Sequence, residues 1–190
     1  MARAIKDNKN VIQSYTLTTS RYKFTAYEKR ILYRIVEYAQ DEIKGIMIRD
    51  NLHKIEHSLF GREITMPIVD ILKDEQDENY TIAKKAFSSL SDKFIIIDND
   101  DIWQKTHIIS NPKIKKKTGM VTFSVFNEIW DGMLNFSKGY RKYELVTAMQ
   151  FNSVYSMRFY ELLSGQKRPL EFTFEQLREM LGINNKYKLV

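Results

Sequence analysis

The chain has 190 residues, 43% of them apolar, with 11 Phe and 11 Tyr, enough to bury a sizeable core in one domain and part of another. It has no cysteine, which excludes a disulfide framework and a thiolate metal site, and no apolar run long enough for a membrane span or a secretory signal; a cytoplasmic protein is expected. The net charge of +6 is uneven: residues 41–101 hold 8 Lys and Arg against 14 Asp and Glu, and the rest hold 22 against 10. A basic remainder beside an acidic middle suits a protein that lays some faces on phosphate; the plain alternative is a surface charged for solubility.

Residues 1–10 are polar, and Val11–Thr16 reads as a short strand or lead-in. Thr25-Ala26-Tyr27-Glu28 has the form of a capping box, opening a helix to about Gln40. Ile31, Leu32, Ile35, Val36 and Ala39 form its apolar stripe, which leaves Glu28, Lys29, Arg30 and Glu37 on the solvent side. Leu52, Ile55 and Leu59 have helical spacing, closed by Gly61. Within that stretch, His53-Lys54-Ile55-Glu56-His57 matches the H-x-x-E-H pattern of some zinc peptidases, in which two histidines one helical turn apart hold the metal and the glutamate is the general base. No third ligand is identified, so a solvated helix with two histidines is the competing reading.

Glu63–Pro67 alternates like an edge strand, where proline is tolerated, Ile68–Lys73 reads as a short helix and Asp74–Asn79 as an acidic loop. Tyr80–Ser91 is an amphipathic helix with Ala83, Ala86, Phe87 and Leu90 inward and Lys84, Lys85, Ser88 and Ser89 outward. Strands follow at Lys93–Asp98, Trp103–Ser110 and Met120–Phe126. Between the last two, Asn111–Gly119 reads as a hairpin loop carrying Lys113, Lys115, Lys116 and Lys117. Four lysines there either meet phosphate or guard an exposed strand edge. Asn127–Asn135 reads as a helix, Phe136–Gly139 as a boundary, and Tyr140–Tyr143 as a basic lead-in with Arg141 and Lys142.

From Tyr155 the pattern is helix, short strand, helix. Ser153 or Ser156 caps the first helix, Gly165 and Pro169 end it, Leu170–Phe172 alternates like a strand, and Thr173 with Gln176 forms a second capping box before a helix closed by Gly182. Arg158 and Glu161 share the first helix's polar side, where arginine's planar fork suits a carboxylate, such as Glu175 or Glu179, or a DNA phosphate. Tyr155-Ser156-x-Arg158-x-Tyr160-Glu161-Leu162-Leu163, then Phe172-Thr173 and Leu177-Arg178-Glu179-x-Leu181-Gly182-Ile183, resembles the plasmid replication initiator family.

That resemblance implies an α+β fold of tandem winged-helix domains: a complete first domain at 1–137 and the start of a second at 138–190. The helix at 80–91 then takes the place of the first domain's recognition helix. The second recognition helix would begin near Lys186 and Lys188, with its wing beyond, so this reading makes the second domain a truncated one. It implies binding of repeated origin DNA (iterons), recruitment of the host helicase or its loader, and a homodimer that represses its own gene. Neither a cofactor nor catalysis is implied. The candidate DNA-binding residues are Lys84, Lys85, Lys113, Lys115, Lys116, Lys117, Arg141, Lys142, Arg158, Lys186 and Lys188. Two other readings stay open: a zinc metallopeptidase using His53, Glu56 and His57, and a winged-helix transcriptional regulator.

Overall fold

A computed structural model of the protein describes residues 9–14, 18, 23–46, 48, 50, 52–73, 77–98, 100–137, 139–166 and 169–183. At its centre is helix α1, Ala26–Ile43. The capping box is formed: Thr25 Oγ1 accepts from the Glu28 N–H, and the Glu28 carboxylate accepts from the Thr25 N–H at 2.6 Å. The helix runs three residues past Gln40 and stops where Gly45 takes the left-handed conformation, φ 71°.

Strand β1, Asn10–Ser14, precedes α1. After it come β2, Lys54–His57, and β3, Gly61–Pro67, with a 3-10 turn at Ile68–Ile71. Helix α2, Tyr80–Ser91, leads to β4, Phe94–Asp98, and β5, Trp103–His107. Strands β6, Ser110–Lys115, and β7, Met120–Phe126, are followed by helix α3, Asn127–Leu134. The described chain ends with β8, Tyr140–Glu144, and helices α4, Leu145–Gln150, α5, Val154–Leu163, and α6, Phe174–Leu181. The main sheet is antiparallel in the order β2-β3-β7-β6, β4 and β5 form a separate hairpin, and β8 crosses back to pair with β1.

The main sheet turns Ile64 and Met66 of β3 and Val121, Phe123 and Val125 of β7 inward, with a period of two. Against it lies α2, whose Ala83, Ala86, Phe87 and Leu90 are buried as the spacing predicts; Phe87 and Phe123 stack with ring centres 5.4 Å apart. Three local expectations are corrected. Residues 54–57 are a strand, although Leu52, Ile55 and Leu59 have helical spacing, because Ile55 pairs with Ile64 and turns toward the core. Asn111–Lys115 is strand β6, and only 116–119 turn, since β7 supplies a partner for a segment whose composition reads as loop. The register shifts between Ser110 and Lys113, which accommodates Pro112 and the positive φ of Asn111 on an edge strand. Residues 169–173, expected to contain a short strand, have no regular structure.

The largest correction concerns α1. Its neighbours are β1, α2, α3, α4, α5 and the 3-10 turn, so it is enclosed on every side. Glu28, Lys29, Arg30 and Glu37, expected in solvent, are buried. Each is matched. Glu28 takes Lys93 Nζ at 2.7 Å, and Arg34 donates to Glu37 at 2.8 Å. Arg30 donates to the Met149 and Phe151 carbonyls, tying α1 to the connection after α4. Lys29 Nζ lies 2.6 Å from a carboxylate oxygen of Glu161, which is 0% exposed.

Helix α5 is turned accordingly. Ser153 caps it through the Tyr155 N–H. Its buried face carries Met157, Arg158, Glu161 and Leu162, while Tyr155, Phe159 and Leu163 are exposed. Arg158 and Glu161, which share the helix's polar side, are therefore both inside. Glu161 accepts from the Tyr33 hydroxyl at 2.5 Å and from the Gln13 amide at 3.1 Å, and Gln13 in turn accepts from Tyr143 at 2.7 Å. Burial pulls the Lys29 pKa down against the opposing pull of Glu161, and it pushes the Tyr33 and Tyr143 phenols well above the usual range.

Removing one charge of this pair strands the other. Glu161→Gln is expected to lower unfolding stability by about 3–5 kcal/mol, and Lys29→Met added to it to recover most of that deficit. Urea unfolding of both variants checks this; equal stability of the single and double variants would remove the pair as a determinant.

Candidate nucleic-acid interface

Six of the candidate cations lie on α2, on β6 and in the turn after β6. Lys84 and Lys85 stand outward from α2, set there by the same 3.6-residue period that buries Ala83 and Ala86. Lys113 and Lys115 alternate outward on β6, which packs against α2. Lys116 and Lys117 lie exposed in the turn that carries the chain from β6 to β7. Thr118 and Gly119 close that turn onto the Lys115 carbonyl, and Gly119 at φ 66° permits it. A helix and a neighbouring lysine-bearing hairpin can follow a phosphate backbone, and lysine contributes point charge without reading bases.

β6 is an outer strand of the main sheet, so Lys113 and Lys115 flank a strand edge. Arg141 and Lys142 belong to the other sheet, on β8; Lys142 is exposed and Arg141 half-buried, with Nη1 donating to the Tyr140 carbonyl. Arg158 is 5% exposed and faces Glu161 from within the domain. Burial lowers its pKa, which Glu161 and Tyr33 oppose. Lys186 and Lys188 lie outside the described residues.

The peptidase-like pattern takes a different form. His53 precedes strand β2, and Glu56 and His57 are within it, so the helical turn that would align two histidines is absent. Both His53 ring nitrogens face carboxylates: Nε2 is 2.6 Å from Asp70 and Nδ1 is 3.1 Å from Asp50. Asp50 also accepts from the Leu52 and His53 N–H groups, and the Asp70 carbonyl accepts from Arg34 Nε, which anchors the hairpin to α1. His57 is exposed and points toward Glu42, 4.0 Å away. Among the described residues, no three His, Asp or Glu side chains are grouped to hold a metal ion. The zinc-peptidase reading is withdrawn on this geometry.

The arrangement of helix α2 beside an antiparallel sheet with a lysine-bearing turn fits a winged-helix unit, and comparison with known proteins agrees. The family model for the initiator replication protein, first winged-helix domain (WH1), matches residues 10–164. The chain belongs to this initiator family. Its fold is similar to that of the Pi initiator protein in a crystal structure with iteron DNA, at a TM-score of 0.66 and 15% identity over 93% of this chain and 74% of that one. Comparison with curated proteins gives no match. The initiator-family match includes β8, α4 and α5, elements on the far side of the boundary expected near residue 137, and β1–β8 pairing and the Lys29–Glu161 contact join those elements to the rest. No described helix is long and apolar enough to cross a membrane.

The buried Glu161 cluster and the His53 bridge are absent from the residue patterns that mark DNA contact. Only their three-dimensional partners distinguish them from surface residues.

If the lysines of β6 and its turn meet phosphate, replacing Lys113, Lys115, Lys116 and Lys117 with alanine flattens the log–log dependence of DNA affinity on salt, by about 0.9 for each phosphate no longer neutralised. An unchanged slope with increased self-association would assign them to edge protection alone. For His53, burial pulls the imidazolium's pKa down, but Asp70 and Asp50 outweigh it and hold the pKa above the ordinary histidine value. The stabilisation is then full below about pH 6.5 and disappears as pH rises through the raised folded-state pKa. Thermal unfolding of the wild type should show this decline, and His53→Gln should remove that component. Parallel wild-type and variant profiles would show that His53 is not its source.

Proposed function

We propose that the protein is a plasmid replication initiator that binds repeated origin DNA and, by distorting the duplex, helps open the origin. Membership of the initiator family over residues 10–164 carries this reading. The outward lysines of α2, β6 and the following turn supply its phosphate contacts, and the exposed glutamates of β2 and β3, Glu56 and Glu63, mark a face that DNA does not occupy. Bending a site costs about 1–6 kcal/mol, which additional protein–DNA contacts offset, so the activity needs binding energy and no catalytic group.

Within the same reading, a second winged-helix unit begins in residues 138–190, and its first strand and helix double as its attachment to the first unit. Arg141 and Lys142 add phosphate contacts at that junction, while the burial of Arg158 favours a structural role. A homodimer formed through the first domain represses the initiator's own gene, and the host helicase or its loader is recruited to the opened origin. The plain winged-helix regulator remains the second reading, because it uses the same lysines.

Footprinting on the plasmid's own origin and on its promoter separates the two. An initiator protects blocks that recur at the repeat spacing and induces reactivity to single-strand probes nearby. Protection of the promoter alone would leave a regulator, and uniform protection of unrelated DNA would leave a non-specific binder.

A further inference from the structure

The turn between β2 and β3 places two large apolar residues side by side in solvent: Leu59 is 90% exposed and Phe60 74%. Scattered apolar side chains on a surface need no explanation. This pair differs because the backbone beneath it is immobilised. Ser58 N–H donates to the Gly61 carbonyl at 2.9 Å, and Ser58 Oγ accepts from the Gly61 and Phe60 N–H groups. From the start of α3, Asn127 donates its backbone N–H to the Phe60 carbonyl at 3.0 Å and its side-chain amide to the Leu59 carbonyl at 3.2 Å. Asn127 is itself held by Arg62, whose guanidinium also pairs with Glu42 at 2.9 Å. Gly61 lies so close to β7 that a Cβ there would sit 2.0 Å from the Val125 carbonyl oxygen. The turn is thus a fixed prong with two apolar tips, and fixing a contact before binding removes part of its entropic cost.

The surroundings decide what such a prong meets. Glu56 and Glu63 are exposed and directly opposite each other across β2 and β3, and Glu128 and Asp131 are exposed on α3. Of the cations on the hairpin itself, Lys54 pairs with Glu56 and Arg62 with Glu42. This field repels a duplex backbone or an anionic membrane and attracts Lys and Arg. Beside the prong, a groove of about 360 Å³ floored by Ile46, Ile48 and Ile55 runs between the end of α1 and β2, with His57 and Glu42 on its rim. His57 on the groove's rim is the last residue of β2, directly before the turn that carries the prong.

We propose that this surface docks a partner protein, with Leu59 and Phe60 entering an apolar pocket whose rim carries Lys and Arg. The proposal is independent of the DNA-binding reading, since it uses none of its lysines.

Photo-cross-linking from p-benzoylphenylalanine placed at Phe60 of the whole protein, in the plasmid's host, tests it. The expected result is one principal adduct with another protein, mapped to an apolar pocket flanked by Lys or Arg. For that partner, purified, the double variant Leu59→Ser, Phe60→Ser should weaken binding at least about 30-fold with an unchanged unfolding midpoint. Glu63→Lys should weaken it further as salt is lowered. Adducts only with DNA or a second copy, scattered adducts on many proteins, or no adduct would overturn the proposal, as would equal affinity of the double variant.

Discussion

A single buried carboxylate ties together parts of the chain that are far apart in sequence. Glu161 of α5 receives Gln13 from β1 and both Lys29 and Tyr33 from α1, and it faces Arg158 on its own helix. In a low-dielectric interior an unmatched charge costs several kcal/mol, so the helices orient to match it. Once Glu161 is inside, α5 must turn Tyr155, Phe159 and Leu163 outward, and Lys29 must stay on the enclosed side of α1. Hydrophobic burial alone would accept several rotations of α5; the hydrogen-bond geometry of this cluster selects one.

The same matching logic recurs around α1. Glu28 with Lys93, Arg34 with Glu37, and Arg30 with the Met149 and Phe151 carbonyls fix the central helix's charges within its surroundings. His53 between Asp50 and Asp70 adds the β2–β3 hairpin to the set. Because these connections are polar and directional, they hold the hairpin and α5 at defined angles. The exposed lysines of α2 and β6 are carried on this fixed frame.

Charge is separated by element as well as by segment. The β6 hairpin and α2 carry their lysines outward, whereas the β2–β3 hairpin carries facing glutamates and ion-paired cations. Two faces of one small domain therefore suit opposite partners.

Local rules were enough for the features that depend on neighbouring residues. The capping boxes at Thr25 and Thr173, the left-handed Gly182, and the inward face of α2 follow from hydrogen-bonding groups and spacing within one or two turns. The motif around Arg158 and Glu161 was enough to point to the initiator family, which the WH1 match bears out. Periodicity, however, groups residues onto a face without saying what covers that face. For α1 the cover comes from every side, so charges read as wet are buried; for α5 the polar side is the covered one because its partners lie 128 to 148 residues away. Residues 54–57 carried helical spacing and became a strand because Ile64 and its neighbours offered a hydrogen-bonded edge, and H-x-x-E-H had no meaning without the helix. Composition and local pattern thus determined most of the elements and the family; long-range pairing alone decided which charges are structural, because a charge can be buried only where a distant partner meets it.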